Sequence, residues 1–170
     1  MTIELSSHRQ ARFATWIASG FGCGWAPVAP GTVGSVLGVA IGVALRVESP
    51  ALLLAGTVLA TYAGLWAIRG ATGLPWRRVT KEALDDPGWI VIDEIAGQML
   101  ALLGLHRLSL VGVASAFLLF RLFDIGKPGP IGWADRQGGS AGIMADDLLA
   151  GAASACLLVL GQLAWARLHP

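Results

Sequence analysis

Residues 148–166 read LLAGAASACLLVLGQLAWA and contain no charged side chain. A helix of that length is about 28 Å long, close to the roughly 30 Å hydrocarbon layer of a bilayer. A half-buried strand would alternate apolar and polar positions, and this run does not. Residues 51–68, ALLLAGTVLATYAGLWAI, repeat the pattern. The rest of the chain agrees: 55% of its residues are apolar and 14% charged, against about 45–50% and 25% in ordinary soluble domains. With a positive mean hydropathy, this predicts an all-α multi-helix bundle with apolar, partly membrane-embedded helices and a polar site at one end. A wholly soluble helical bundle is the competing reading. At 170 residues the chain is expected to form one domain over residues 1–170.

Five apolar segments can be marked, at residues 33–45, 51–68, 89–105, 110–123 and 148–166. The second and fifth are long enough to span a bilayer. The others are shorter or carry charge, and read as tilted spans, re-entrant pieces or helices buried in protein. Short connections such as RVESP and HRLS favour antiparallel neighbours. An up-and-down path then brings PGTVGS, Asp93, Glu94, Asp124 and the stretch GPIGWADRQGGSAGIMADDLLAG to one end of the bundle. The same end receives Arg9, Arg12, Arg69, Arg77, Arg78, Lys81, Arg121, Lys127 and Arg136, so the positive-inside rule puts it in the cytoplasm. The start, MTIELSSHRQARFATW, lacks a signal-peptide pattern, in keeping with that side.

Six carboxylates at one end of an oily chain call for a chemical reason. Asp93 and Glu94, in DDPGWIVIDEIAGQML, lie inside an apolar helix, where unpaired ionised acids are costly. Gly97, one turn on, would admit a neighbouring backbone. The plain alternative is an ion pair with Arg121. In FRLFDIGKPGPIGWADRQ, Arg121, Asp124 and Lys127 recur at helical spacing before Pro128 ends the helix. That pattern reads as a structural ion pair or as a metal ligand flanked by two phosphate-binding cations. Asp135 and Arg136 repeat the pairing in a Gly/Pro-rich loop. Asp146 and Asp147 are placed at the start of the fifth helix, where one acid would complement the dipole. GFGCGWAPVAPGTVGS puts Gly31, Thr32, Gly34 and Ser35 at a helix start. This is either an anion-binding amide concavity or a plain loop capped by Thr32.

Oxygen ligands without sulfur or imidazole suit Mg²⁺, since His8, His106 and His169 lie outside the cluster. Asp93, Glu94, Asp124, Asp146 and Asp147 are the metal candidates. These five and Asp135 are the catalytic candidates. Gly31, Thr32, Ser35, Arg121, Lys127 and Arg136 are the phosphate-binding candidates. Mg²⁺ beside such cations makes a phosphate site. Cys23 and Cys156 show no metal-ligand spacing and read as small buried residues. Neither begins Cys-x₅-Arg, no Asp-x-Asp-x-Thr is present, and no histidine stands beside Arg121, Lys127 or Arg136, the basic residues of the cluster, so phosphocysteine and phosphohistidine routes are excluded. Near-zero net charge leaves no broad basic surface for nucleic acid. A cation-binding transporter is the alternative from another class, but its ionisable groups would sit near mid-membrane.

Three blocks in order, GFGCGWAPVAPGTVGS, GWIVIDEIAGQ and FRLFDIGKPGPIGWADRQGGSAGIMADDLLAG, make the chain resemble the phosphatidylglycerophosphatase A family over about residues 20–151. The resemblance implies an all-helical, Mg²⁺-dependent lipid phosphatase. Such an enzyme converts phosphatidylglycerophosphate to phosphatidylglycerol at the cytoplasmic face of the bacterial inner membrane, in phospholipid biosynthesis. It places Asp93, Glu94, Asp124, Lys127, Asp135, Arg136, Asp146 and Asp147 on the family's charged motif positions, and Gly31, Thr32 and Ser35 in its N-terminal block. Between Arg136 and Gly142 the chain departs from the family pattern, reading QGGSA with a shifted glycine pair. Other phosphate esters are the alternative substrates on the same scaffold.

Overall fold

The computed structural model describes residues 2–73 and 88–169, with side chains from residue 8 onward. Among the described residues there are seven α-helices, one short 3₁₀ turn and no strand. They are α1 (Thr2–Ala18), the turn Cys23–Trp25, α2 (Pro30–Glu48), α3 (Pro50–Thr72), α4 (Ile92–Leu102), α5 (Leu110–Gly126), α6 (Pro130–Gln137) and α7 (Gly139–Leu168).

The centre is α4, an 11-residue helix whose surface is almost wholly covered. It packs against α2, α3, α5 and α7. Small residues on the neighbours make this possible. A Cβ on Gly34 would fall 2.7 Å from Val91 Cβ, and one on Gly38 would fall 2.9 Å from the Ile95 carbonyl oxygen. Across the helix, a Cβ on Gly151 would lie 2.3 Å from the Gly97 carbonyl oxygen. Backbones this close leave room for no side chain.

These contacts also fix direction. Along α2, Gly31, Gly38 and Gly42 meet Glu94, Ile95 and Leu102 in turn, so α2 and α4 run parallel. Gly97 touches Asp147 and Gly104 touches Ala155, so α7 runs the same way. Gly56 meets Met99 and Gly64 meets Ile92, so α3 runs opposite. The up-and-down path expected from the short connections is the path observed.

Helix ends follow local chemistry. Ser49 and Ser109 accept hydrogen bonds from the Leu52 and Gly112 amides and so cap α3 and α5. Lys127 closes α5 in a left-handed conformation with Pro128 behind it. At the end away from the acids, Arg46 donates to the carbonyls of Leu105 and His106. Gln162 accepts from the His106 amide and donates to the Gly104 carbonyl. The polar backbone of the α4–α5 turn is thereby satisfied in apolar surroundings.

Three helices, α2, α3 and α7, are long and apolar enough to cross a membrane. Their outward positions are apolar too: Val36, Leu54, Leu59, Leu160 and Leu163 are all exposed. A soluble bundle would turn polar side chains outward there, so this is a membrane protein. The first apolar segment, residues 33–45, is shorter than a span, but the helix extends it at both ends, to Pro30 and to Glu48, and reaches 19 residues. Two helices were not foreseen. The N-terminal stretch forms α1, and PIGWADRQ, read as a loop, forms α6 with Pro130 in its first turn. Cys156 is exposed and Cys23 is half-buried, so neither is a core residue; Cys156 faces outward from α7.

Candidate active site

The first turn of α4 supplies Asp93 and Glu94, and the third turn of α7 supplies Asp147. One ligand oxygen from each lies within 4.8 Å of the others. Asp93 and Asp147 are buried. The contact between Gly97 and the Asp147 carbonyl is what lets α4 and α7 bring these acids together. The N-terminus of α4 faces the trio, and its dipole favours negative charge there. Burial pushes the Asp93 carboxyl above its ordinary pKa, and the charge of Asp124 adds to the effect.

Two cations border the acids, each held by other carboxylates. Arg121 Nη1 donates to Asp124, its i+3 neighbour on α5, and also to Ser35 Oγ at 3.3 Å. Ser35 in turn donates to the Gly31 carbonyl at 2.8 Å. Lys127 Nζ bonds Asp135 on α6 and lies 2.7 Å from Asp146 on α7. Burial works against the Lys127 charge, but these two carboxylates outweigh it and raise its pKa. Gly31 completes the link to α2: a Cβ there would lie 2.2 Å from Glu94 Oε1 and 3.5 Å from Arg121 Nη1.

The six acids expected at one end are gathered there with Arg121 and Lys127, in a different pairing. Asp124 does not sit between Arg121 and Lys127, because the left-handed turn at Lys127 carries that ammonium to α6 and α7. Arg121 pairs with Asp124 and leaves the Asp93–Glu94 pair to the trio. Asp146 and Asp147 do not open a helix, since α7 begins at Gly139 and the dipole account of them falls away. Thr32 is not an N-cap: Ala29 takes that position, and its carbonyl accepts the Thr32 and Val33 amides. Few amides remain for a concavity, and Gly31 and Gly34 instead admit α4. Arg136 is exposed on α6 and makes no ion pair with a described residue. Arg77, Arg78 and Lys81 lie outside the described residues. Gln98, not among the expected site residues, sits fully buried one turn after Glu94. Its signal was a lone amide in the apolar run IAGQML.

Three carboxylates within reach of one another, lacking nitrogen and sulfur, form a donor set for a hard divalent cation. Arg121 and Lys127 are cations held in place near it by other side chains. Buried acids and held cations lie at one end of a helical membrane bundle, and the comparisons make the protein a phosphoric monoester hydrolase. The family model described as Phosphatidylglycerophosphatase A matches residues 16–162. The chain belongs to the phosphatidylglycerophosphatase A family.

Two relatives called phosphatidylglycerophosphatase A are similar to it. The protein from Escherichia coli is 34% identical over 143 residues, covering 84% of this chain and 79% of the relative. The protein from Haemophilus influenzae is 37% identical over 135 residues, covering 79% of each. A Bacteroides thetaiotaomicron protein whose name carries a provisional assignment as phosphatidylinositol-3-phosphatase is 36% identical over 153 residues, covering 86% of this chain and 91% of the relative. No solved structure matches the chain.

Proposed function

We propose that this phosphatase hydrolyses the terminal phosphate of phosphatidylglycerophosphate, giving phosphatidylglycerol and inorganic phosphate for phospholipid biosynthesis. The reaction takes place at the cytoplasmic face of the bacterial inner membrane and uses Mg²⁺. The observation that carries the reading is the trio Asp93, Glu94 and Asp147 set beside Arg121. Family membership and the two relatives of that name support the substrate.

Asp93, Glu94 and Asp147 would hold the cation, which supplies charge neutralisation at the phosphoryl oxygens and acidifies a water. The chain's own groups do the rest. Arg121, oriented by Asp124 and Ser35, presents its remaining donors to the phosphate. Lys127, clamped by Asp135 and Asp146, adds positive charge without leaving its place. The trio's remaining carboxylate oxygens are the bases within reach of an attacking water. Water adds to phosphorus and gives a proton to one of these carboxylates as the ester P–O bond breaks, and phosphatidylglycerol leaves as its alcohol, taking up a proton.

The test is phosphate release by detergent-solubilised protein from phosphatidylglycerophosphate, with Mg²⁺ and with chelator, for wild type and Asp93→Asn. Expected is Mg²⁺-dependent release that falls by three orders of magnitude or more in a folded variant, the usual scale for losing an essential group. A folded wild type that releases nothing with any divalent ion refutes the proposal. The Bacteroides relative favours one second reading, a phosphorylated inositol lipid as substrate. Presented in the same micelles at equal concentration, the two lipids compete. Faster turnover of the inositol lipid would overturn the first reading. A reporter fused within residues 70–86 should report from the cytoplasm.

A further inference from the structure

One turn below the acid trio lies an amide with no protein group to bond it. Gln98 is fully buried, and neither its Oε1 nor its Nε2 has a hydrogen-bond partner among the described residues. A buried amide left so costs about 1–3 kcal/mol, which a leucine or methionine at this position would avoid. Four residues after Glu94, Gln98 shares its helix face. Its Cβ lies 3.0 Å from where a Cβ on Gly38 would stand, so the side chain leaves α4 toward α2.

Arg121 reaches the same part of α2 from α5. Its Nη1 is 3.3 Å from Ser35 Oγ, one turn before Gly38. Its Nε is buried and, like the amide, has no hydrogen-bond partner. Phe120 stands next to it, with its ring 2.7 Å from where a Cβ on Gly97 would be, so α5 is held against α4 beside Gln98. Ser35 and Gly38 are one turn apart on α2, so Arg121, with its orphan donor, and Gln98, with its orphan amide, meet neighbouring positions of that helix. One buried water satisfies such a group of donors and acceptors, with the two to four polar partners it requires.

We propose that Gln98 is a positioning residue for Arg121. A buried water accepts from the Arg121 Nε–H and donates to Gln98 Oε1, fixing the plane of the guanidinium. With Nη1 engaged by Asp124 and Ser35 and Nε by the water, the two Nη2 N–H groups face the phosphate. This rests on the phosphate reading of the site.

The experiment uses the full chain in detergent and reads two affinities. Inorganic phosphate binding is measured from its concentration-dependent shift of the unfolding temperature, and Mn²⁺ binding by electron paramagnetic resonance. Gln98→Met is expected to unfold at or above the wild-type temperature and to bind Mn²⁺ unchanged. It should bind phosphate about tenfold more weakly, the scale of one lost charge-assisted hydrogen bond. Gln98→Asn, which keeps both poles of the amide and leaves room for water, should recover to within about threefold of wild type. In an Arg121→Lys background, which lacks the Nε–H, Gln98→Met should add nothing. Phosphate binding unchanged in Gln98→Met, or losses that add in the double variant, would overturn the proposal. Should Gln98→Met not fold, Gln98→Leu replaces it in the same cycle. A wild type that binds phosphate but leaves phosphatidylglycerophosphate intact would refute the substrate and spare Gln98. A wild type that binds no phosphate would remove both.

Discussion

Replacing Gly97 with alanine tests whether the approach of α4 to α7 sets the site. The new Cβ would stand 2.5 Å from the Asp147 carbonyl oxygen and 2.7 Å from Phe120 Cε2. The first distance is about 0.9 Å short of ordinary 3.4 Å contact. A backbone oxygen cannot swing aside, so the two helices must part by roughly that amount. Alanine gains about 0.8–1 kcal/mol over glycine as a helix former, and overpacking costs about 1–3 kcal/mol. The net loss of stability is then at most about 2 kcal/mol. The site loses more, because the displaced residue is Asp147, whose carboxylate must stay within 4.8 Å of those of Asp93 and Glu94. A misplacement near 1 Å costs on the order of 10²-fold in a geometry-dependent step. Gly97→Ala should therefore lose about that factor in Mn²⁺ affinity and phosphate release, with a modest fall in unfolding temperature. Gly161→Ala, with nothing within 4 Å of its new Cβ, serves as control and should keep wild-type values. A Gly97→Ala protein that binds metal and releases phosphate like wild type would refute the reasoning.

Further outcomes follow from the polar links. The Lys127 ammonium has its pKa raised above the ordinary 10.5 by Asp135 and Asp146. Its contribution to stability is full below that value and is lost as pH rises through the higher folded value. Wild-type unfolding temperature should fall with alkalinity beyond about pH 10.5, and Lys127→Met should flatten that limb in a pH series of melts. Gln162→Leu strips the His106 amide and the Gly104 carbonyl of a partner, which costs about 1–3 kcal/mol. Thermal melts should show that loss, with phosphate release unchanged because the turn lies at the far end of the bundle. A nitroxide on Cys156, with Cys23→Ser, should report oxygen accessibility and exclusion of a water-soluble nickel relaxant. Free access of the nickel reagent would show that α7 is not embedded.

Much of the arrangement was legible because two patterns were strong. Charge-free runs marked α3 and the body of α7, and short connections fixed alternating directions, so the acids had to share an end. Other features depended on partners that spacing cannot name. The start of α7 at Gly139 was hidden by SAGIMADD, whose polar residues Ser140, Asp146 and Asp147 are buried in protein. PIGWADRQ looked like a loop because glycine and proline are loop residues, yet Pro130 suits the first turn of a helix. The glycines before Ser35 suggested an amide cradle. In the structure Gly31 and Gly34 lie against Glu94 and Val91, a long-range fact. Which cation each acid holds was likewise decided by the turn at Lys127.

Depth in the membrane separates phosphate chemistry from ion transport. From Asp147 to Leu168, α7 rises about 31 Å, close to the whole hydrocarbon thickness. If those residues fill the apolar layer, Asp147 lies at its edge and Gly139–Asp146 stand among the headgroups. A transport site of broken helices would lie near the midplane, about ten residues further along α7. There the helix offers Cys156, Leu157 and Leu158 and no acid. The shortness of α4 serves the same end. At 11 residues it spans about 16 Å, too little to cross, so it starts at the acids and stops inside the bundle. Its charged first turn stays at headgroup depth while α2, α3, α5 and α7 cover the rest. Carboxylates are then shielded from lipid by protein, and the proposed lipid substrate would bring its phosphate to that same depth, held there by its acyl chains.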